Sequence, residues 1–118
     1  MRILLVDDSS TMRRIQKTQL NNLGVTDVFE AGNGDEALGV LANTTDVDYI
    51  LLDWNMPVMD GITFLKRVRE DDTYSKVKIV MCTSESEKER VFEALKSGAN
   101  DYIVKPFTPE ALKEKLKL

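Results

Sequence analysis

Residues 49–53 read Tyr49-Ile50-Leu51-Leu52-Asp53, an apolar run closed by an acid. A strand with one wet face alternates apolar and polar side chains. An unbroken apolar run points instead to burial on both faces, as in a parallel sheet covered by helices. Two further runs share this character, Ile3 to Val6 and Lys78 to Cys82. Val28 to Phe29 is short and bounded by Asp27 and Glu30, which suits an edge, and Tyr102 to Val104 completes a set of β-rich runs.

Segments with helical spacing separate these runs. Met12, Ile15 and Leu23 fall on one face, with Gly24 as a stop. Asn33 with Glu36, and Ser86 with Glu89, have the offset of a capping box. Asp60 precedes a helix whose inner face is expected at Ile62, Leu65 and Val68, and Val91 and Leu95 precede Gly98. Thr108 followed by Pro109 reads as an N-cap with proline at the first helical position, ahead of Leu112 and Leu116. Five strands, each followed by a helix, predict an α/β fold: a doubly wound parallel sheet with helices on both faces. Ligands of such sheets sit beyond the carboxyl ends of the strands, where strand order reverses.

The chain has 118 residues, 42% hydrophobic and 31% charged, which fits one domain over 1–118 with a packed core. Its net charge of −4 argues against a nucleic-acid backbone as partner. The single cysteine, Cys82, excludes an internal disulfide, and the absence of histidine removes imidazole bases and most catalytic zinc sites. No signal-peptide layout and no membrane-spanning run are present, so a soluble cytoplasmic domain is expected.

The strand ends carry the chemistry. Asp7 and Asp8 follow the first strand, Asp53 the third, Thr83 and Ser84 the fourth, and Lys105 with Pro106 the fifth. Any one of these could be an ordinary helix cap or a solvated lysine. Their convergence on one sheet edge points to a site. Carboxylates ~4 Å apart repel by ~4 kcal/mol at an effective dielectric of ~20, which a divalent cation relieves and an ammonium relieves in part. Hard oxygen ligands suit Mg²⁺, with Mn²⁺ able to replace it. An aspartate beside a metal and an ammonium can attack phosphorus to form an acyl phosphate.

The stretches Leu5-Val6-Asp7-Asp8-Ser9-Ser10-Thr11-Met12-Arg13-Arg14-Ile15, Asp53-Trp54-Asn55-Met56-Pro57-Val58-Met59-Asp60-Gly61, Thr83-Ser84-Glu85 and Lys105-Pro106-Phe107-Thr108 stand in the order found in receiver domains of two-component response regulators. Across its whole length the chain resembles the single-domain chemotaxis regulators of that family. The resemblance implies a flavodoxin-like, five-stranded sheet of order 2-1-3-4-5. It implies Asp53 as phosphoacceptor, with Thr83 and Lys105 sensing the phosphoryl group. Asp8, Asp53 and the main-chain carbonyl of Asn55 would hold Mg²⁺, and Asp7 would act through water. The Lys105-Pro106 bond is expected to be cis.

By the same resemblance, Tyr102 is a switch residue, and the partner-binding face comprises the helix of Lys88 and Val91, the strand of Tyr102 and the last helix with Lys115. Asn55 and Glu85 would tune dephosphorylation. The implied partners are a chemotaxis histidine kinase, a flagellar motor switch protein and a phosphatase, for a monomer binding neither nucleic acid nor membrane. Ser84 and Ser9 depart from the alanine and phenylalanine of related chemotaxis proteins, leaving phosphatase recognition open. A receiver passing phosphate onward to a histidine phosphotransfer domain is the alternative. A haloacid-dehalogenase-like phosphohydrolase is disfavoured, because Asn55 stands where such enzymes need a second acid. A DNA-binding regulator would require an effector domain beyond Lys117.

Overall fold

The computed structural model describes residues 1–84 and 89–118. The strands are β1 (Arg2–Val6), β2 (Asp27–Ala31), β3 (Tyr49–Asp53), β4 (Lys78–Thr83) and β5 (Asp101–Val104). They alternate with helices α1 (Ser10–Asn22), α2 (Gly34–Asn43), α3 (Gly61–Glu70), α4 (Val91–Lys96) and α5 (Pro109–Lys115). A 3₁₀ turn at Asp72–Tyr74, not anticipated from the sequence, joins α3 to β4. All pairings are parallel and the order is β2-β1-β3-β4-β5, so the expected doubly wound sheet is present.

Period-2 alternation within the apolar runs divides the core in two. Leu4, Val6, Ile50, Leu52, Ile79 and Met81 point to one face, where Ala37, Phe64, Leu65, Val68 and Ala94 of α2, α3 and α4 cover them. Ile3, Leu5, Leu51, Val80 and Cys82 point to the other, against Leu20 of α1 and Leu112 of α5. Each fully buried side chain of this size contributes roughly 1.5–3 kcal/mol of transfer free energy. Both faces of β1 and β3 are therefore dry, and their acids appear only where the strands run out.

Side-chain caps start α2, α3 and α5 at Asn33, Asp60 and Thr108 as expected, and α1 at Ser9, which the sequence did not mark as a cap. Ser9 Oγ accepts from Met12 N at 3.1 Å, Asn33 Oδ1 from Glu36 N at 2.9 Å, Asp60 Oδ1 from Thr63 N at 3.0 Å and Thr108 Oγ1 from Ala111 N at 3.1 Å. Gly24 and Gly98 end α1 and α4 at φ of 90° and 113°, where a Cβ would be strained. The expected cap at Ser86 lies outside the described residues.

Three helix faces differ from expectation. In α1 the buried residues are Gln16 and Leu20, while Ile15 is 49% exposed and Met12 half-buried. The helix is turned by about one residue, bringing Gln19 Nε2 within 3.0 Å of the Phe107 carbonyl. In α4, Val91 and Ala94 face inward, while Leu95 is 40% exposed. In α3, Leu65 and Val68 are buried as expected, but Phe64 fills the place assigned to Ile62, which is only partly covered. Apolar spacing gives the existence of a stripe, but the packing partner selects its centre.

Candidate functional site

Strand extension sets the site. The expected third and fourth strands stopped at Leu52 and Cys82, yet β3 continues through Asp53 and β4 through Thr83. Asp53 is thus the last residue of a central strand, in register with Cys82, and Thr83 pairs with Val104. Beyond the last β1 residue, Asp7 N still donates to Ala31 O at 3.1 Å, and beyond β5, Lys105 N donates to Thr83 O at 2.7 Å. These extra main-chain bonds fix the backbones that aim the Asp7 and Lys105 side chains.

The Lys105 ammonium reaches across the sheet edge. Nζ donates to Asp53 Oδ1 at 2.8 Å and to Asp7 Oδ2 at 3.1 Å. Asp7 is almost fully buried, and its other oxygen accepts from Ser9 N at 2.9 Å. Arg13 Nη1 donates to the Asp7 carbonyl. Asp8 is exposed at the mouth. Carboxylate oxygens of Asp7, Asp8 and Asp53 all lie within 4.8 Å of one another. At that spacing each ionised pair repels by about 3.5 kcal/mol at an effective dielectric of about 20.

Titration follows this geometry. Burial pushes the Asp53 carboxyl above its ordinary value, against the lowering effect of the Lys105 ammonium, and Asp7 raises it further. Lys105 is also pushed up: burial works against its charge, but the carboxylates of Asp53 and Asp7 outweigh that cost. Burial pushes the Cys82 thiol up to about 12. Three acids facing one ammonium form a hard-oxygen set short of positive charge, which fits a small divalent cation.

The structure brings together Asp7, Asp8, Asp53 and Lys105, with Thr83 on the adjoining strand. Thr83 is buried, and its hydroxyl donates to the Ser84 carbonyl at 3.2 Å. The Lys105-Pro106 peptide is cis, as expected. Asn55 is exposed and its Oδ1 accepts from Arg90 Nη1 at 3.2 Å. Glu85 and Lys88 lie outside the described residues.

On the face assigned to partners, Tyr102 is half-buried on β5 and the Lys115 ammonium stands 4.8 Å from its ring centroid. Lys115 also pairs with Asp101 at 3.0 Å. Val91, expected on that face, is buried, because α4 turns its Val91–Ala94 edge to the sheet. The exposed apolar residues of α4 are Phe92, 74% exposed, and Leu95.

Sequence reading missed three contributors. Arg13 braces Asp7, and Arg90 reaches Asn55. At Gly61 a Cβ would stand 2.3 Å from the Asp53 carbonyl oxygen, so only glycine lets α3 begin against the Asp53 backbone. The Asp60-Gly61 pair in the motif was the available signal; Arg90 carried none, since it acts across 35 residues, and Arg13, six residues after Asp7, has no local pattern that marks it as a brace.

Known proteins are similar to this chain in sequence and in fold. The family model described as the response regulator receiver domain matches residues 3–117, and the chain belongs to that family. Among curated relatives, the "Chemotaxis protein CheY homolog" of Campylobacter jejuni is 52% identical over 117 residues, covering 99% of this chain and 90% of that protein. "Chemotaxis protein CheY1" of Helicobacter pylori is 51% identical over 118 residues, covering 100% and 95%. The solved structure of chemotaxis protein CheY4 of Vibrio cholerae matches with a TM-score of 0.89 at 38% identity, over 98% of this chain and 95% of that one.

Proposed function

We propose that this protein is a chemotaxis response regulator that takes a phosphoryl group onto Asp53 from a partner histidine kinase and thereby changes its affinity for a flagellar motor switch protein. The observation that carries this reading is the Lys105 ammonium bridging Asp53 and Asp7 within a three-acid cluster at the carboxyl edge of the sheet. The relatives named as chemotaxis proteins supply the biological context.

Asp8, Asp53 and the Asn55 main-chain carbonyl would hold Mg²⁺, with Asp7 acting through water. When bound, the cation supplies positive charge against the acids and against the phosphoryl oxygens. The chain's own groups do the rest. An Asp53 carboxylate oxygen attacks phosphorus; the new O–P bond forms as the donor's N–P bond breaks, and that electron pair leaves with the imidazole. The Lys105 ammonium, already at hydrogen-bond distance from Asp53, is positioned to pair with a phosphoryl oxygen. To donate there, the Thr83 hydroxyl gives up the Ser84 carbonyl, a move that would open room for Tyr102 to turn inward. Hydrolysis later restores the carboxylate and releases inorganic phosphate.

The output face would be α4, β5 and α5, where Phe92 and Leu95 are exposed and Tyr102 stands beside Lys115. Complete conversion from 1:99 to 99:1 would require about 5.5 kcal/mol of differential binding, so part of the bias falls to the partner.

Acetyl phosphate with Mg²⁺ tests the chemistry. Quenching of Trp54, the residue after Asp53, should accompany an adduct of about 80 Da on Asp53, and Asp53→Asn should carry none. An adduct on another residue would defeat the proposal. Equal affinity of a motor-switch peptide for both forms would defeat the output step. Efficient transfer to a histidine phosphotransfer domain would favour a relay instead.

A further inference from the structure

Arg90 immediately precedes α4, and its guanidinium crosses to the loop that follows the acceptor. Nη1 donates to Asn55 Oδ1 at 3.2 Å, and the guanidinium carbon stands 5.5 Å from the centroid of the Trp54 ring. Trp54 and Asn55 are the two residues directly after Asp53. The indole is buried, whereas Asn55 is exposed to water. A cation stacked on a buried ring has little freedom to wander, and its planar fork directs its N–H bonds. An exposed asparagine keeps one rotamer only where its partners direct it, and the Arg90 bond to Oδ1 is one that does.

We infer that Arg90 is a positioning residue for removal of the phosphoryl group from Asp53: braced on Trp54, it holds the Asn55 carboxamide in one orientation at the mouth of the site. This rests on the reading of Asp53 as phosphoacceptor. In the hydrolytic step a water oxygen bonds to phosphorus and the bond from phosphorus to the Asp53 oxygen breaks. The electron pair returns to the carboxylate, and the water proton leaves to solvent. Asn55 gains and loses no proton; its amide orients the incoming water by a hydrogen bond. Arg90 touches none of the reacting atoms, and its effect passes entirely through Asn55. A preset amide avoids the ordering cost of one mobile side chain during attack, which corresponds to about three- to tenfold in rate.

The test follows decay of the Asp53 adduct by mass spectrometry after loading with acetyl phosphate and Mg²⁺ and removal of the donor. It compares the parent, Arg90→Met, Arg90→Lys, Asn55→Ala and the Arg90→Met/Asn55→Ala double variant. The side-chain truncation at position 55 leaves its main-chain carbonyl in place. Arg90→Met should load as fully as the parent and decay about three- to tenfold more slowly. Arg90→Lys should recover part of the rate, because an ammonium still sits over the indole but lacks the directed fork. In the Asn55→Ala background, removing Arg90 should change nothing further. Parent-like decay in Arg90→Met overturns the inference, and so does equal slowing with and without the Asn55 amide. If the parent itself carries no adduct on Asp53, the reading of the acceptor falls and this inference falls with it.

Discussion

Replacing Asp53 by asparagine should make the metal-free protein more stable. In the folded state the Asp53 carboxylate faces Asp7 and Asp8 at separations within 4.8 Å, repulsions of about 3.5 kcal/mol each at an effective dielectric of about 20. Its attraction to Lys105 at 2.8 Å is about 6 kcal/mol on the same scale. These charges leave a small deficit, and burial adds the desolvation cost that is the largest cause of its raised pKa. Asparagine keeps an oxygen to accept from Lys105, and Lys105 keeps Asp7 at 3.1 Å. The expected gain is about 2 kcal/mol, or about 8 °C in Tm for a domain of this size.

The sign of the pH dependence follows. A carboxyl whose folded pKa lies above the ordinary 3.8 stabilises the fold only while protonated, so its contribution is lost as pH rises through the folded value. The gap between variant and parent should therefore be widest near neutrality and close as pH falls toward 3.8. Thermal melts from neutral to acid pH, with and without Mg²⁺, check both parts. For the parent, each tenfold rise in free Mg²⁺ above its Kd adds about 1.4 kcal/mol; Asp53→Asn should lose most of that response. A variant less stable than the parent at neutral pH without metal would refute the reasoning, as would a gap unchanged in acid.

Lys105→Met removes the ammonium and leaves Asp7 and Asp53 facing each other, so melts without metal should show a loss of about 3 kcal/mol. Because the folded Lys105 pKa lies above 10.5, the stability it contributes should be present at neutral pH, where its carboxylate partner Asp53 is charged, and fall as pH rises through the folded value. Gly61→Ala drives a methyl into the Asp53 carbonyl, and denaturant unfolding should register a loss of about 2–3 kcal/mol, with weakened Mg²⁺ binding as α3 shifts. Cys82, buried with its thiol pushed up to about 12, should resist a thiol reagent at pH 8 in the folded protein and react at a rate set by unfolding. Arg69 donates to the Gly98, Tyr74 and Val77 carbonyls and to Asn100 Oδ1, so Arg69→Met should cost about 3 kcal/mol in chemical denaturation.

Much of the fold was legible because its signals are local. The apolar runs of β1, β3 and β4 need only their own composition to declare burial on two faces, and Asn33, Asp60 and Thr108 each cap a helix from within three residues. The short Val28–Phe29 run reads as an edge and lies at one, although β2 spans Asp27–Ala31 through its pairing with β1. Placing acids and a lysine at strand ends followed directly, since a residue after a buried strand has nowhere else to emerge. Which side of α1 and α4 turns inward was not legible. Ile15 is as apolar as any core residue, yet the sheet receives Gln16 and Leu20.

The linear chain by itself thus determined the order of strands and helices, the dry interior of the sheet and the identities of the charged groups at its carboxyl edge. Only the tertiary structure decided that Lys105 spans 98 residues to touch Asp7, that Arg90 closes on Asn55 from 35 residues away, and that Gly61 must lack a side chain. Composition, periodicity and capping act over a few bonds. Contacts across a sheet edge depend instead on register and crossover, which exist only once every strand has found its neighbour.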